Sequence, residues 1–160
     1  MSYRIEGLSR SDFSEYYGRS PEELARMDAV RVVADANDGF PCRVTLQDAR
    51  AGDRLILLNF TSHRVSGPYR TAYAIFVRED AQDGAGEPVW VDRLPPILQG
   101  RTLSLRGFDE AGMLHAAVLV GPGEAEQGIA DLFAKGPVAY IHAHYATYGC
   151  FAARIDRAGE

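Results

Sequence analysis

Two sets of side chains in this 160-residue chain are of the kinds that do chemistry. The first is His142 and His144, which flank Ala143 in a stretch that reads as a strand, so both imidazoles point to one face and could share a metal ion. A metal site needs at least a third protein ligand. The other histidines are His63 and His115, and the strand itself holds no carboxylate. The pair is therefore read as two hydrogen-bonded strand histidines, with no cofactor expected. His115 lies in a run that looks buried on both faces and is expected to be a neutral core histidine.

The second set is Cys42 with Arg43 and Cys150 with Arg154. A guanidinium beside a thiol favours the thiolate, which is the form a cysteine nucleophile or a redox sensor needs. The competing reading is packing, because cysteine is among the most buried residue types. If the two thiols met, a disulfide would close a long loop and act on stability more than on catalysis. These four residues are the candidate site. Gly121-Pro122-Gly123 before a helix resembles a phosphate loop, but it has no Gly-Lys-Ser/Thr ending, and Glu124 and Glu126 put negative charge where an anion would sit. No GxSxG, HExxH or CxxC occurs.

These residues must be positioned by strands. Ser20-Pro21-Glu22-Glu23 combines a capping serine, a proline at the first helical position and two acids, which predicts a short helix from Pro21 to Met27. Val30 to Ala34 is β-branched enough for a strand, and Asn37-Asp38-Gly39 is a turn. Arg54 to Thr61 and Thr71 to Val77 are predicted to form a hairpin about Ser66-Gly67-Pro68-Tyr69. Asp80 to Glu87 reads as an exposed, mobile loop before Val89-Trp90-Val91 and a Pro95-Pro96 break.

In the C-terminal part, Arg101 to Arg106 alternates, with Leu103 and Leu105 on one face. A turn at Asp109 to Gly112 leads to Met113 to Val120, which is apolar on both faces and expected at the centre of a sheet. Ala125, Ile129, Leu132 and Phe133 share a helical face, so Glu124 to Ala134 is an amphipathic helix closed by Lys135-Gly136-Pro137. Val138 to Tyr145 and Cys150 to Arg157 follow as strands. Strand, helix and strand in this order predict a crossover between parallel strands, with antiparallel hairpins around it. The fold class is α+β, with a mixed, mostly antiparallel sheet, few helices and a single domain spanning residues 1–160.

The last hairpin decides which groups can cooperate. With a simple turn at Ala146 to Gly149, Tyr145 faces Cys150, His144 faces Phe151, His142 faces Ala153 and Ile141 faces Arg154. His142 and His144 then share a face with Phe151, Ala153 and Ile155, while Cys150 and Arg154 lie on the other. A Cys-His pair within this hairpin would need a bulge to flip the register. The face above the histidines is either a pocket or the seat of the amphipathic helix.

Composition narrows the partners. The chain carries 17 basic and 22 acidic residues for a net charge of −5, and its arginines are spread along its length, which disfavours nucleic acid. Met1 to Phe13 lacks the apolar run of about seven residues that a secretory signal needs, and no apolar stretch approaches the roughly 20 residues that span a bilayer. A cytoplasmic location without a membrane partner is expected, with the two cysteines as free thiols.

Phe40-Pro41-Cys42-Arg43, Leu55-Ile56-Leu57-Leu58, Gly67-Pro68-Tyr69, Ala74-Ile75-Phe76-Val77 and Gly149-Cys150-Phe151-Ala152-Ala153-Arg154 together resemble the bacterial family known as domain of unknown function 1203. Where that family's pattern has a second cysteine, a Gly-Pro and a histidine, this chain has Thr45, Tyr73-Ala74 and Arg78. Cys42, Arg43, Cys150 and Arg154 are the signature it retains. The resemblance implies a bacterial cytosolic domain and brings no activity with it. The residues leave three functions open: a small-molecule-binding or regulatory domain, which the lack of a complete catalytic constellation favours; a cysteine- or metal-dependent enzyme acting on a small anionic substrate; and a structural homodimer or larger homo-oligomer paired through a strand edge.

Overall fold

Tyr3 and Ile5 point inward and Arg4 and Glu6 outward, the two-residue period that makes a strand of β1 (Tyr3–Glu6). The structure is a computed structural model and describes residues 1–81 and 89–159. Most of the loop expected at Asp80 to Glu87 lies outside the described residues. A 3-10 turn (Arg10–Phe13) leads to helix α1 (Pro21–Arg26). Its start is a reciprocal cap: the Glu23 amide donates to the Ser20 hydroxyl at 3.2 Å and the Ser20 amide donates to the Glu23 carboxylate at 2.8 Å. Such a cap is worth about 1 kcal/mol, enough to start a helix of six residues that buries only Leu24.

The remaining strands follow as β2 (Val30–Val33), β3 (Arg54–His63), β4 (Thr71–Arg78), β5 (Val89–Val91), β6 (Leu103–Phe108) and β7 (Leu114–Val120). Helix α2 (Ala125–Phe133) comes next, then β8 (Tyr140–Tyr145) and β9 (Phe151–Arg157). They form a six-stranded sheet in the order β5-β1-β9-β8-β6-β7 and a three-stranded sheet in the order β2-β3-β4. The fold is α+β with antiparallel ladders throughout both sheets. The β3–β4 hairpin and the amphipathic α2 form as the sequence predicts. The crossover from β7 through α2 to β8 joins strands that run the same way, but β6 lies between them and pairs antiparallel with both.

β7 is the correction here. Its apolar sequence predicts a central strand, yet it ends the sheet, with Leu119 68% exposed. The inner place belongs to β6, which pairs β7 on one side and β8 on the other. His115 is accordingly exposed rather than a core residue, and its Nε2 lies 2.9 Å from Asp109.

The two faces of the large sheet are covered by different elements. Leu103, Leu105, Ile141, Ala143 and Ile155 face α2, whose Ala125, Ile129, Leu132 and Phe133 complete one core. The three-stranded sheet covers the opposite face: the ring centres of Phe60 and Phe151 lie 6.5 Å apart, those of Tyr73 and His144 5.0 Å, and those of His63 and His142 5.0 Å. The histidine face is thus roofed by the β3–β4 hairpin, while the amphipathic helix sits on the other side. Among the described residues, no helix is long and apolar enough to cross a membrane.

Candidate functional site

Arg43 is held in place by its own loop. An isolated bridge between Pro41 and Asp48 closes the loop, and the Cys42 amide donates to the Gln47 carbonyl at 3.0 Å. Leu46, which anchors the loop in the core beside α2, takes a φ of 55°, a left-handed conformation that side chains other than glycine adopt at a cost. The backbone of Arg43 ties the two sheets together. Its amide donates to Phe76 of β4, and its carbonyl accepts from Leu8, just beyond β1. Gly7 permits that approach, since a Cβ there would stand 1.9 Å from the Val44 carbonyl oxygen.

The Arg43 side chain is 1% exposed. Its guanidinium donates to the Phe151 carbonyl at 2.9 Å, to the Pro41 carbonyl at 2.7 Å and to Cys150 Sγ at 3.3 Å, and it packs over the Tyr145 ring. Among the described residues, no carboxylate makes an ion pair with it. Burial lowers its pKa, and the groups whose negative charge would favour the cation are Tyr145 and the two cysteines. Tyr145 is no ready anion: burial pushes its hydroxyl up to about 12, against the opposing pull of Arg43 and Arg101. That hydroxyl donates to the Ile97 carbonyl at 2.9 Å and accepts from Arg101 at 3.0 Å, and Arg101 is in turn paired with Asp48 at 2.7 Å. Asp48, Arg101 and Tyr145 are the members of this network that the sequence did not reveal. They come from a loop before β3, a loop before β6 and the end of β8, and no motif links them.

The four candidate residues do not form one cluster. Arg43 and Cys150 meet; both cysteines are free thiols, with Cys42 wholly buried and Cys150 partly exposed. Cys42 belongs to the core under the small sheet, where the Arg78 amide donates to its sulfur at 3.3 Å. Arg154 lies elsewhere, over the Tyr140 ring and paired with Asp156 at 2.8 Å. The reason is a β-bulge. The turn does set His144 opposite Phe151, but Ala143 then pairs with Ala153, His142 with Arg154 and Ile141 with Ile155. The extra residue, Ala152, moves Arg154 onto the histidine face and Ile155 onto the helix face.

The histidine layer is filled by aromatic rings. His142 packs against Phe108, Tyr140, Phe151 and His63. His63 donates through Nδ1 to the Tyr69 carbonyl at 2.8 Å, which leaves Nε2 to accept from the Tyr140 hydroxyl at 2.7 Å. His144 donates through Nδ1 to the Gly149 carbonyl at 2.9 Å. The lone pair on His63 is therefore already used. Among the described residues, no three histidine, cysteine or acidic groups are placed to hold a metal ion. Burial, aided by the nearby guanidinium groups of Arg154 and Arg106, pushes the His142 pKa down to about 3, and burial pushes that of His144 down to about 4.

The segments that meet around Arg43 and Cys150, Pro41-Cys42-Arg43 and Gly149-Cys150-Phe151, both fall within residues 39–157, which match the family described as protein of unknown function (DUF1203). The chain belongs to the DUF1203 family. The DUF1203 match takes in all of the six-stranded sheet except β1, and leaves α1 and β2 outside it. No curated protein and no solved structure matches the chain. Surface cavities of about 270, 410, 570 and 650 Å³ are lined by residues other than Arg43, Cys150 and the three buried histidines.

Proposed function

We propose that this is a regulatory domain that responds to small electrophilic oxidants through Cys150, with Arg43 as the counter-charge of the reactive sulfur. One observation carries the reading: a wholly buried guanidinium has no carboxylate partner among the described residues and donates to a cysteine sulfur at 3.3 Å. A buried cation is costly unless acceptors surround it, and the Cys150 sulfur is the side-chain acceptor that this guanidinium reaches. Cys150 is partly exposed at a hairpin turn and lines none of the cavities described above. Such a setting suits a small reagent such as a hydroperoxide better than a large substrate. In the reaction, the thiolate attacks one peroxide oxygen and the O–O bond breaks. Sulfur is oxidised to a sulfenic acid, and the reduced oxygen leaves as alkoxide or hydroxide, which takes a proton from water. Free thiols and a net charge of −5 suit a protein of the reducing cytosol that binds small molecules rather than nucleic acid.

The test is a labelling rate. Near neutral pH, iodoacetamide should modify Cys150 faster than it modifies an unstructured peptide cysteine and leave Cys42 untouched in the folded protein, with mass spectrometry locating the adduct. Labelling of Cys150 at or below the peptide rate would sink the reading.

A further inference from the structure

The two sheets have four outer strands, and three of them are blunted in the ways that soluble proteins use to stop edge pairing. β5 is only three residues long. β2 is four residues long and carries Arg31, which pairs with Glu79 at 2.7 Å. β4 is bridged at Phe76 by Cys42, and the Arg43 amide donates to the Phe76 carbonyl. β7 has none of these protections between Ala116 and Val120; a bulge at His115 lies at its start. The strand runs for seven residues without Asp, Glu, Lys, Arg or Pro, and among the described residues no strand pairs with its outer side. From Ala116 to Val120 its side chains are apolar on both faces. Val118, opposite Leu105, lies on the helix side and is 36% exposed, whereas Leu119, opposite Ser104, lies on the other side and is 68% exposed.

We infer that β7 pairs antiparallel with β7 of a second copy, joining the two large sheets into one across a two-fold axis. The occupant follows from charge and shape. A strand that pairs with itself about a two-fold axis sets its own side chains against one another, so a charged edge repels itself, and this edge is uncharged between Ala116 and Val120. With Val118 on the axis, Leu119 of one copy meets Ala117 of the other and Val120 meets Ala116. Large residues then oppose small ones on both faces. Every ladder in the sheet is already antiparallel, so the added pair continues its pattern.

Sedimentation equilibrium and light scattering of the full chain test this directly. The wild type should have twice the mass of the 17.5 kDa chain. Ala117 and Leu119 are both exposed, so changing them spares the core. The double change Ala117→Glu/Leu119→Glu sets carboxylates against each other across the axis and should give monomer with an unchanged circular dichroism spectrum. Ala117→Glu/Leu119→Lys sets opposite charges across the same axis and should restore the dimer. A wild type that stays monomeric at every soluble concentration overturns the inference, as does a dimer that the acidic pair leaves intact. Failure of the opposite-charge pair to re-form the dimer overturns the register centred on Val118.

Discussion

His142 lies directly opposite Arg154 across the β8–β9 pair, one position away from the partner that a simple hairpin would give it. The bulge at Ala152 thus places a guanidinium on the face that already carries His142, His144 and, from β6, Arg106. Asp156, the acid nearest to that guanidinium, is taken up by Arg154. The buried imidazoles therefore sit among guanidinium groups and rings, and among the described residues no free carboxylate stands by to stabilise a proton. Neutrality is the condition for closing the two sheets on each other.

Stability should consequently fall steeply in mild acid. His142 and His144 have folded pKa values lowered to about 3 and about 4 from 6.5, so between these limits the unfolded chain binds protons that the folded chain does not. Their contribution is complete above pH 6.5 and is lost as pH drops below it, by about 1.4 kcal/mol per pH unit for each histidine. Urea unfolding at a series of pH values from 8 to 4 should show a plateau followed by this decline. His142→Phe, which keeps a ring among Phe108, Tyr140 and Phe151, should roughly halve the slope. An unchanged slope would mean that other groups cause the acid lability.

A methyl group at Gly7 should be among the most damaging small changes in the chain. The added Cβ meets a backbone carbonyl, which cannot rotate aside as a side chain would, so either the Leu8 to Arg43 hydrogen bond or the loop from Pro41 to Asp48 must shift. Overpacking of this kind costs about 1–3 kcal/mol. Thermal unfolding of Gly7→Ala should show a loss in that range. The same substitution at Gly136, where nothing lies within 4 Å of a Cβ, should leave stability nearly unchanged. Equal effects at the two sites would contradict the close approach at Gly7.

Much of this architecture is legible in the residues and some of it cannot be. The Ser20 cap, the β3–β4 alternation and the spacing of Ile129, Leu132 and Phe133 are local signals, and each element forms where its signal lies. The position of β7 is not local. Its composition suits a central strand, and only the pairing of β6 with β8 moves it to the edge. The bulge is equally silent, because Phe151-Ala152-Ala153 alternates acceptably in either register and the choice is made by packing: Ile155 gains the helix core and Arg154 gains the Tyr140 ring. Hence the cysteine signature grouped Cys42 and Arg154 with a pair, Arg43 and Cys150, that they do not join.

Arg43 should prove to have two separable roles. Arg43→Met removes the donors to the Phe151 and Pro41 carbonyls and leaves both facing an apolar side chain, at a cost of about 1–3 kcal/mol for each unsatisfied group. Arg43→Lys keeps the charge but loses the fork that reaches three acceptors at once, so it too should destabilise, though less. Alkylation separates charge from scaffold. Where the variants remain folded at low temperature, Arg43→Lys should retain fast labelling of Cys150 and Arg43→Met should slow it about tenfold. Tyr145→Phe provides the control, since Arg101 still donates to the Ile97 carbonyl at 2.9 Å and the Arg43 to Cys150 contact is untouched. Its stability should drop by about 1 kcal/mol with the labelling rate unchanged. If Arg43→Met and Arg43→Lys label Cys150 equally fast, the guanidinium is only a scaffold for the loop, and the sulfur's reactivity owes nothing to its charge.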